Sequence, residues 1–196
     1  MEGICNLIAL GILLAWPVIP LFWLPLRFFP RRVARLGRAF LLVTAALWLA
    51  VAAITWHWHG SLLEYRIGIP WTLRVLGGLL FVSGLLLQAW TALVLGRRIT
   101  GLPELENAPV RLETRPPFNL CRHPTYLAHL MIFAGGALLT GYLSIFILAA
   151  ADFLITRFLI VPLEERDMEM RFGAGYHRYK RHTPCFFPVF HKRKRQ

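Results

Sequence analysis

Residues 126–163 read YLAHLMIFAGGALLTGYLSIFILAAADFLITRFLIVPL, two apolar runs separated only by Gly141. Runs of this length approach the roughly 20 residues that a helix needs to cross a hydrocarbon layer about 30 Å thick. The stretch therefore predicts two membrane-spanning helices, about 126–140 and 142–163, joined as a tight helical hairpin.

The rest of the chain supplies three more apolar runs, at about 4–26, 40–56 and 75–95. With 57% hydrophobic and only 16% charged residues, and a mean hydropathy of +0.53, the chain is too apolar for an ordinary soluble domain. The predicted fold class is all-α: a polytopic membrane protein with about five transmembrane helices and a cytosolic C-terminal helical segment. The predicted single domain, 1–196, divides into 1–70 (two helices), 71–163 (core helices and cofactor loop) and 164–196 (the segment closing the site).

Proline and glycine positions refine these helices. The three prolines at 17, 20 and 25 predict kinks in the first run, which is too long and lacks the preceding basic stretch of a signal peptide. Two glycine pairs, 77–78 and 135–136, predict places where helices approach closely.

The net charge of +12 lies between and after the apolar runs. Residues 27–38 (RFFPRRVARLGR), 97–122 and the tail from 166 onward are rich in arginine, whereas the connection at 57–74 is poorer. The positive-inside rule then places the N terminus outside and the C terminus in the cytosol, in a bacterial inner membrane. The last six residues, HKRKRQ, are expected to bind anionic lipid, and nucleic acid is not an expected partner.

Polar residues gather at the predicted cytosolic ends of these helices. The motif RHPTY, residues 122–126, begins the fourth apolar run, and Glu164 and Glu165 directly follow the fifth. Two carboxylates at a membrane edge are costly unless they meet cations or water. The pattern predicts that they have a positively charged partner.

These residues resemble the membrane methyltransferases that include isoprenylcysteine carboxyl methyltransferase and the phosphatidylethanolamine N-methyltransferases. The resemblance is carried by LGR at 95–97, Phe118, RHPTY at 122–126, the Glu164–Glu165 pair, FG at 172–173, and Tyr176, Tyr179 and Pro184. It covers the C-terminal half to two-thirds of the chain, in matching order and spacing. The first two spans share only hydrophobicity.

The resemblance implies S-adenosylmethionine as methyl donor and a pocket at the cytosolic membrane edge. Carried over residue by residue, it implies cofactor contacts from Val110, Arg111, Leu112, Glu113, Phe118, His123, Pro124, Thr125, Tyr126 and Glu164, and catalytic roles for Arg122, Arg157 and Glu165. The chemistry agrees, since a carboxylate neutralises the ammonium and sulfonium of that cofactor and aromatic rings stack on its adenine.

The chain departs from the family pattern at several positions. Phe118 stands where the family usually has tyrosine, and the prolines of TRPPF, residues 114–118, crowd the position before it that is often glycine. The family often has an arginine shortly before the paired glutamates, whereas here Ile160 lies nearest that place and Arg157 lies one helical turn earlier. Residues three or four apart share a helix face, so Arg157 is a candidate to point into the pocket. Cys185 stands where relatives commonly have arginine.

Several residues have simpler explanations that the sequence leaves open. Arg122 is also suited to an interfacial position. His123 suits a cap of the fourth helix, and Tyr176 and Tyr179 suit interface anchors. Asp152, in the middle of a span, is a functional candidate by default, a partner for Arg157, or a cap of a polar packing contact.

No metal site is predicted. His57 and His59 are two residues apart and do not share a helix face, and no third ligand is evident. The cysteines Cys5, Cys121 and Cys185 lack metal-type spacing, and the last two lie on the reducing side of the membrane, where a disulfide is not expected.

Two rival classes remain at this point. Membrane sterol reductases have a similar Arg-His-Pro-x-Tyr hairpin and bind NADPH, and a non-enzymatic scaffold would retain the fold alone. The expected acceptor is a lipid or prenylated molecule from the bilayer, either the carboxylate of a prenylcysteine-like compound or a phospholipid amine. A carboxylate is already anionic, whereas an amine must first be deprotonated.

Overall fold

The computed structural model describes residues 2–96 and 111–186. Within them the chain forms nine α-helices: α1 (Glu2–Ala15), α2 (Leu24–Phe28), α3 (Pro30–Leu36), α4 (Arg38–Leu62), α5 (Trp71–Leu95), α6 (Pro124–Thr140), α7 (Leu143–Ile155), α8 (Val161–Phe172) and α9 (Ala174–His182). π-helical turns precede α2 (Ile19–Trp23) and join α7 to α8 (Thr156–Ile160). Three predicted features lie outside the described residues: Val110, Arg97 and the basic tail 191–196.

Four helical stretches in the described chain are long and apolar enough to cross a membrane: Glu2–Leu26, Ala39–Leu62, Trp71–Leu95 and Leu143–Phe172. Helix α6 is a shorter apolar helix of 17 residues. The all-α prediction and the five apolar runs are confirmed. The first stretch is interrupted after Ala15, next to the first of its three prolines, as the ring of proline would produce.

Helices α5 and α6 pack most closely, because glycines remove the side chains between them. A Cβ atom on Gly77 would lie 2.7 Å from the backbone nitrogen of Leu139, and one on Gly135 would lie 2.5 Å from that of Phe81. These close approaches confirm the predicted role of Gly77 and Gly135. Gly78 is not part of the tight contact, since its nearest neighbour would be 3.8 Å away.

The predicted hairpin is formed by α6 and α7. Gly141 adopts a left-handed φ of +76°, where glycine meets no steric cost, and its amide donates to Ala137. The first helix belongs to the same end of the molecule, because the Tyr142 hydroxyl bonds to Asn6. The hairpin turn and the N terminus therefore lie on one face of the bundle.

Two hydrophobic clusters fill the interior. The distal cluster, near the hairpin turn, contains Ala9, Ile12, Phe133, Ala137, Tyr142 and Ile145. The site cluster, at the opposite end, contains Tyr126, Ile160, Val161 and Phe186. Helices α6 and α7 pass both clusters, so the ends of α6 and α8 that carry the polar motifs meet far from the hairpin turn.

Candidate functional site

The two polar motifs, RHPTY at 122–126 and the Glu164–Glu165 pair, are 38 to 43 residues apart in sequence and meet at the start of α6. The backbone amide of Arg122 donates to the carbonyl of Pro184 at 2.8 Å, and that of His123 donates to Cys185 at 3.2 Å. The segment after α9 thus runs beside the RHPTY motif. The predicted convergence of residues 122–126 with the C-terminal segment is confirmed in the structure.

Arg122 is the centre of a charged network. Its Nε and Nη2 donate to one carboxylate oxygen of Glu165 at 2.9 and 2.7 Å. Its Nη1 donates to the carbonyls of Lys180 at 3.2 Å and Thr183 at 2.5 Å. One guanidinium therefore holds α8, α9 and the following segment against the start of α6, and its planar fork suits this geometry.

Glu165 meets the positively charged partners that its position predicted. Lys180 Nζ lies 2.8 Å from its second oxygen, and His123 Nε2 lies 3.3 Å from the first. Since a carboxylate only accepts, His123 Nε2 is the donor. Burial would raise the pKa of Glu165, but the hydrogen bonds from His123, Lys180 and Arg122 outweigh it and hold that pKa far below its ordinary value. Hydrogen bonds to Glu165 and Glu169 raise the pKa of Lys180 to about 12.

His123 is buried inside this network and does not cap α6 with its side chain. Its ring stacks on Tyr126 at a centroid distance of 5.8 Å and lies 6.2 Å from the ring of Phe186. Its Nδ1 is 3.8 Å from a carboxylate oxygen of Glu164. Pro124, which begins α6, is fully buried, as suits a proline at a helix start.

Among the predicted cofactor contacts, Arg111 is exposed and Leu112, Glu113 and Thr125 are half-buried. Glu113 accepts two hydrogen bonds from the guanidinium of Arg115, both at 2.9 Å. Phe118 is buried, and its carbonyl accepts a hydrogen bond from the Tyr179 hydroxyl at 2.6 Å. The approach segment is therefore fixed to α9. The cofactor contacts assigned to these residues remain predictions.

Arg157 lies at the edge of the site. Its side chain is exposed, with the guanidinium 5.7 Å from the centroid of the Phe158 ring. Ile160, one turn later, is fully buried in the site cluster. The predicted alternative pairing of Asp152 with Arg157 is wrong, because neither carboxylate oxygen of Asp152 has a hydrogen-bond partner in the described chain. The catalytic role of Arg157 remains a prediction.

The position of Tyr176 differs from the predicted interface anchor. It is 2% exposed, so it is not an interface anchor. Burial, with the nearby charge of Glu165, raises its pKa to about 12. Its hydroxyl is buried and finds no hydrogen-bond partner among residues 2–96 and 111–186. The spacing FG-x-x-Y was the available signal, and an unpartnered hydroxyl beside the acidic pair suits ligand contact.

Ligand atoms of His123, Glu165 and Cys185 lie within 4.8 Å of one another, a grouping that sequence spacing did not predict. Both oxygens of Glu165 are already hydrogen-bonded to cationic side chains. Burial also raises the pKa of the Cys185 thiol, which favours the protonated form that binds metals poorly. The chemistry of these donors therefore fits a protein-internal network better than a divalent ion. All three cysteines of the chain are free.

The arrangement suits a cationic, aromatic cofactor. Glu164 places a carboxylate beside the stacked His123 and Tyr126 rings, and the Tyr176 hydroxyl offers a hydrogen bond. A sulfonium and an ammonium need negative charge nearby, and an adenine needs a flat apolar surface. These residues fit S-adenosylmethionine.

A model of the phospholipid methyltransferase family matches residues 72–175, more than half of the chain. The chain belongs to the phospholipid methyltransferase family. The matched region includes α5, the α6–α7 hairpin and the paired glutamates. As a family member, the chain falls in the class of membrane methyltransferases, which confirms the predicted resemblance and enzyme class.

Two of the relatives that the chain matches are named methyltransferases. Methanethiol S-methyltransferase 2 of Bradyrhizobium diazoefficiens is 27% identical over 187 residues, covering 93% of this chain and 69% of that protein. Methanethiol S-methyltransferase of Crocosphaera subtropica is 24% identical over 159 residues, covering 74% of the chain and 59% of the relative. The cobalt-zinc-cadmium resistance protein CzcN of Cupriavidus metallidurans is 32% identical over 77 residues, 39% of the chain and 35% of the relative. No solved structure matches the chain.

Proposed function

We propose that the chain transfers a methyl group from S-adenosylmethionine to a lipid or lipid-linked acceptor at the cytosolic face of a membrane. The observation that carries this proposal is the meeting of RHPTY with the Glu164–Glu165 pair at one end of an apolar bundle. Family membership supports the reaction class, and the fit of the residues supports the cofactor.

The two glutamates have different roles in this proposal. Glu165 is neutralised by Arg122 and Lys180, so its charge holds the site together. Glu164 lies 3.8 Å from the His123 ring and supplies the negative charge that a sulfonium or ammonium requires. When bound, the cofactor supplies an electrophilic methyl group. Transfer of that group needs orientation and exclusion of water, which the buried ring of His123 and its neighbours favour.

The acceptor reaches the site from the bilayer, since the site cluster is built on α6 and on the membrane-length stretch Leu143–Phe172. A prenylcysteine-like carboxylate and a phospholipid amine are the acceptors proposed from the sequence. The names of two relatives add a small thiol, methanethiol, to this panel. The arginine-rich connections at the site end of the helices support a cytosolic site, with the N terminus on the outer face.

The direct test is binding of S-adenosylmethionine to detergent-solubilised protein, measured by isothermal titration calorimetry. Glu164→Gln should weaken binding about tenfold, the cost of losing one charge-assisted contact. Asp167→Asn on the same helix is the matched control, because that carboxylate pairs with Arg171 at 3.1 Å. Equal affinity in the two variants would contradict the role of Glu164. Binding of NADPH in place of S-adenosylmethionine would overturn the proposed function.

Transfer is then measured with methyl-labelled cofactor and a panel of a prenylcysteine analogue, phosphatidylethanolamine and an alkyl thiol. Labelled product from one member identifies the acceptor class. Cofactor binding without transfer to any of the three would contradict the proposed acceptors and leave the cofactor assignment intact.

A further inference from the structure

A band of polar side chains separates the two hydrophobic clusters. On the α7 side, Ile145, Asp152, Thr156 and Ile160 are 0, 1, 1 and 0% exposed. Their spacing of seven, four and four residues places them on one helix face. Because Ile145 belongs to the distal cluster and Ile160 to the site cluster, Asp152 and Thr156 lie between the two.

Helix α6 contributes one polar residue, His129, at the same depth between the two hydrophobic clusters. Tyr126 belongs to the site cluster and Phe133 to the distal cluster, and His129 lies between them on the shared face. The His129 ring meets the Phe133 ring edge-on at a centroid distance of 6.1 Å. We call Asp152, Thr156 and His129 the polar band.

The polar atoms of this band are buried and unpartnered. Both carboxylate oxygens of Asp152, the hydroxyl of Thr156 and Nδ1 of His129 lack a hydrogen bond to any described residue. The neighbouring Arg157 turns outward over Phe158 and leaves Asp152 without a cation. Buried polar groups without partners are rare and costly, and an ionisable residue inside a membrane helix marks a functional site by default.

The local backbone supports a ligand site. Thr156 opens the π-helical turn that joins α7 to α8, and such turns occur often at functional sites. Its hydroxyl does not donate to the carbonyl one turn earlier, in contrast to Thr44, whose hydroxyl donates to Phe40 at 2.9 Å. Thr156 lies about 6 Å along the helix from Ile160, and His129 lies about 5 Å from Tyr126. The band is thus one turn deeper in the membrane than the site cluster.

We propose that the polar band binds the reactive head of the methyl acceptor, and that this head is uncharged and carries a hydrogen-bonding proton, as in an alkyl thiol. This proposal rests on the methyl-transfer function proposed above. A carboxylate head would have to shed its hydration beside Asp152 with no cation available in the band. An ammonium head would find a counter-charge in Asp152, but its nitrogen has no lone pair to accept a methyl group until it loses a proton. A thiol, with an ordinary pKa of about 8.5, is neutral at pH 7 and enters without that cost. When its sulfur gains the methyl group, the S–H bond breaks and the proton passes to the Asp152 carboxylate.

The test compares hexanethiol with hexanoate, which share an alkyl chain and differ in head charge, on protein in lipid nanodiscs. Calorimetry in the presence of the demethylated cofactor measures acceptor binding without turnover. We expect wild type to bind hexanethiol in preference to hexanoate. Asp152→Leu and Thr156→Val should each raise the Kd for hexanethiol about tenfold, the effect of one lost hydrogen bond, while Thr44→Val leaves it unchanged.

A second readout separates ligand binding from a structural role. Without acceptor, Asp152→Leu should raise the melting temperature, because it removes a buried carboxyl that has no partner. Preserved hexanethiol affinity in Asp152→Leu, a lower melting temperature, or preferential binding of hexanoate would each overturn the proposal. S-adenosylmethionine affinity is measured on the same variants and should stay unchanged. If wild type does not bind S-adenosylmethionine, the result counts against the proposed function. The hexanethiol titration tests separately whether the polar band binds the acceptor.

Discussion

Replacing Glu165 with glutamine tests whether the charged network holds the two halves of the site together. Glutamine keeps one oxygen for Arg122 but places an NH₂ group opposite Lys180 Nζ, now 2.8 Å from a carboxylate oxygen. The Arg122 side chain, only 11% exposed, then loses its counter-charge, which costs about 3 kcal/mol. Lys180 is 37% exposed and regains water, so its loss adds less than about 1 kcal/mol.

A loss of about 3 kcal/mol should lower the melting temperature by about 6 to 12 °C in a chain of this size. Thermal unfolding is followed by tryptophan fluorescence on purified protein in detergent. The matched control is Asp167→Asn, which breaks an exposed pair with Arg171 and should cost about 0.5 kcal/mol, or about 1 to 2 °C. A drop in Glu165→Gln no larger than that in Asp167→Asn would refute the stabilising role of the network.

The same variant has a defined pH dependence. Because the folded-state pKa of Glu165 is below its ordinary value of 4.5, its stabilisation is complete above that pH and declines as the pH falls below it. The difference in melting temperature between wild type and Glu165→Gln should therefore be constant between about pH 6 and 8 and narrow below about pH 4.5. A difference that widens on acidification would contradict the assigned direction of the pKa shift.

Two further variants probe the frame around the site. Gly77→Ala should destabilise the protein by about 1 to 3 kcal/mol, because the new Cβ would lie 2.7 Å from the backbone of Leu139. Gly60→Ala, where a Cβ meets nothing within 4 Å, is its control in the same unfolding assay, and equal losses would refute the packing argument. Tyr179→Phe removes the 2.6 Å hydrogen bond to the Phe118 carbonyl and should weaken S-adenosylmethionine binding about fivefold by calorimetry. Unchanged affinity would show that the approach segment needs no such support.

The membrane-spanning helices could be predicted because the length and hydropathy of an apolar run are read directly from the sequence. The turn at Gly141 could also be predicted, since a single glycine between two apolar runs leaves few other connections. The close approach of α5 and α6 at Gly77 could be predicted because glycine has no side chain. That of Gly84, whose Cβ would lie 2.9 Å from the Ala128 carbonyl, was not anticipated, because a lone glycine resembles many harmless ones.

The different roles of the two adjacent glutamates could not be predicted from the sequence. Glu164 and Glu165 are adjacent, and their side chains point about 100° apart on a helix, so their roles depend on how α8 is rotated. The π-helical turn Thr156–Ile160 changes that rotation by adding a residue to one turn. The prediction that Arg157 points into the pocket assumed a regular helix. Arg157 lies inside the π-helical turn, and its guanidinium lies at the edge of the site, over Phe158.

Polar groups that have hydrogen-bond partners stabilise the site, whereas buried polar groups without partners are available to a ligand. Arg122 and Glu165 use their hydrogen-bonding capacity on each other and on α9, so a ligand could engage them only by breaking the contacts that close the site. The Tyr176 hydroxyl and the Asp152 carboxylate have no such partners in the described chain. Tyr176 lies in α9, close to the charges of Glu165 and Arg122, whereas Asp152 lies in α7, between the two hydrophobic clusters. In the proposed reaction, the methyl donor would approach from the side of Tyr176 and the acceptor from the side of Asp152.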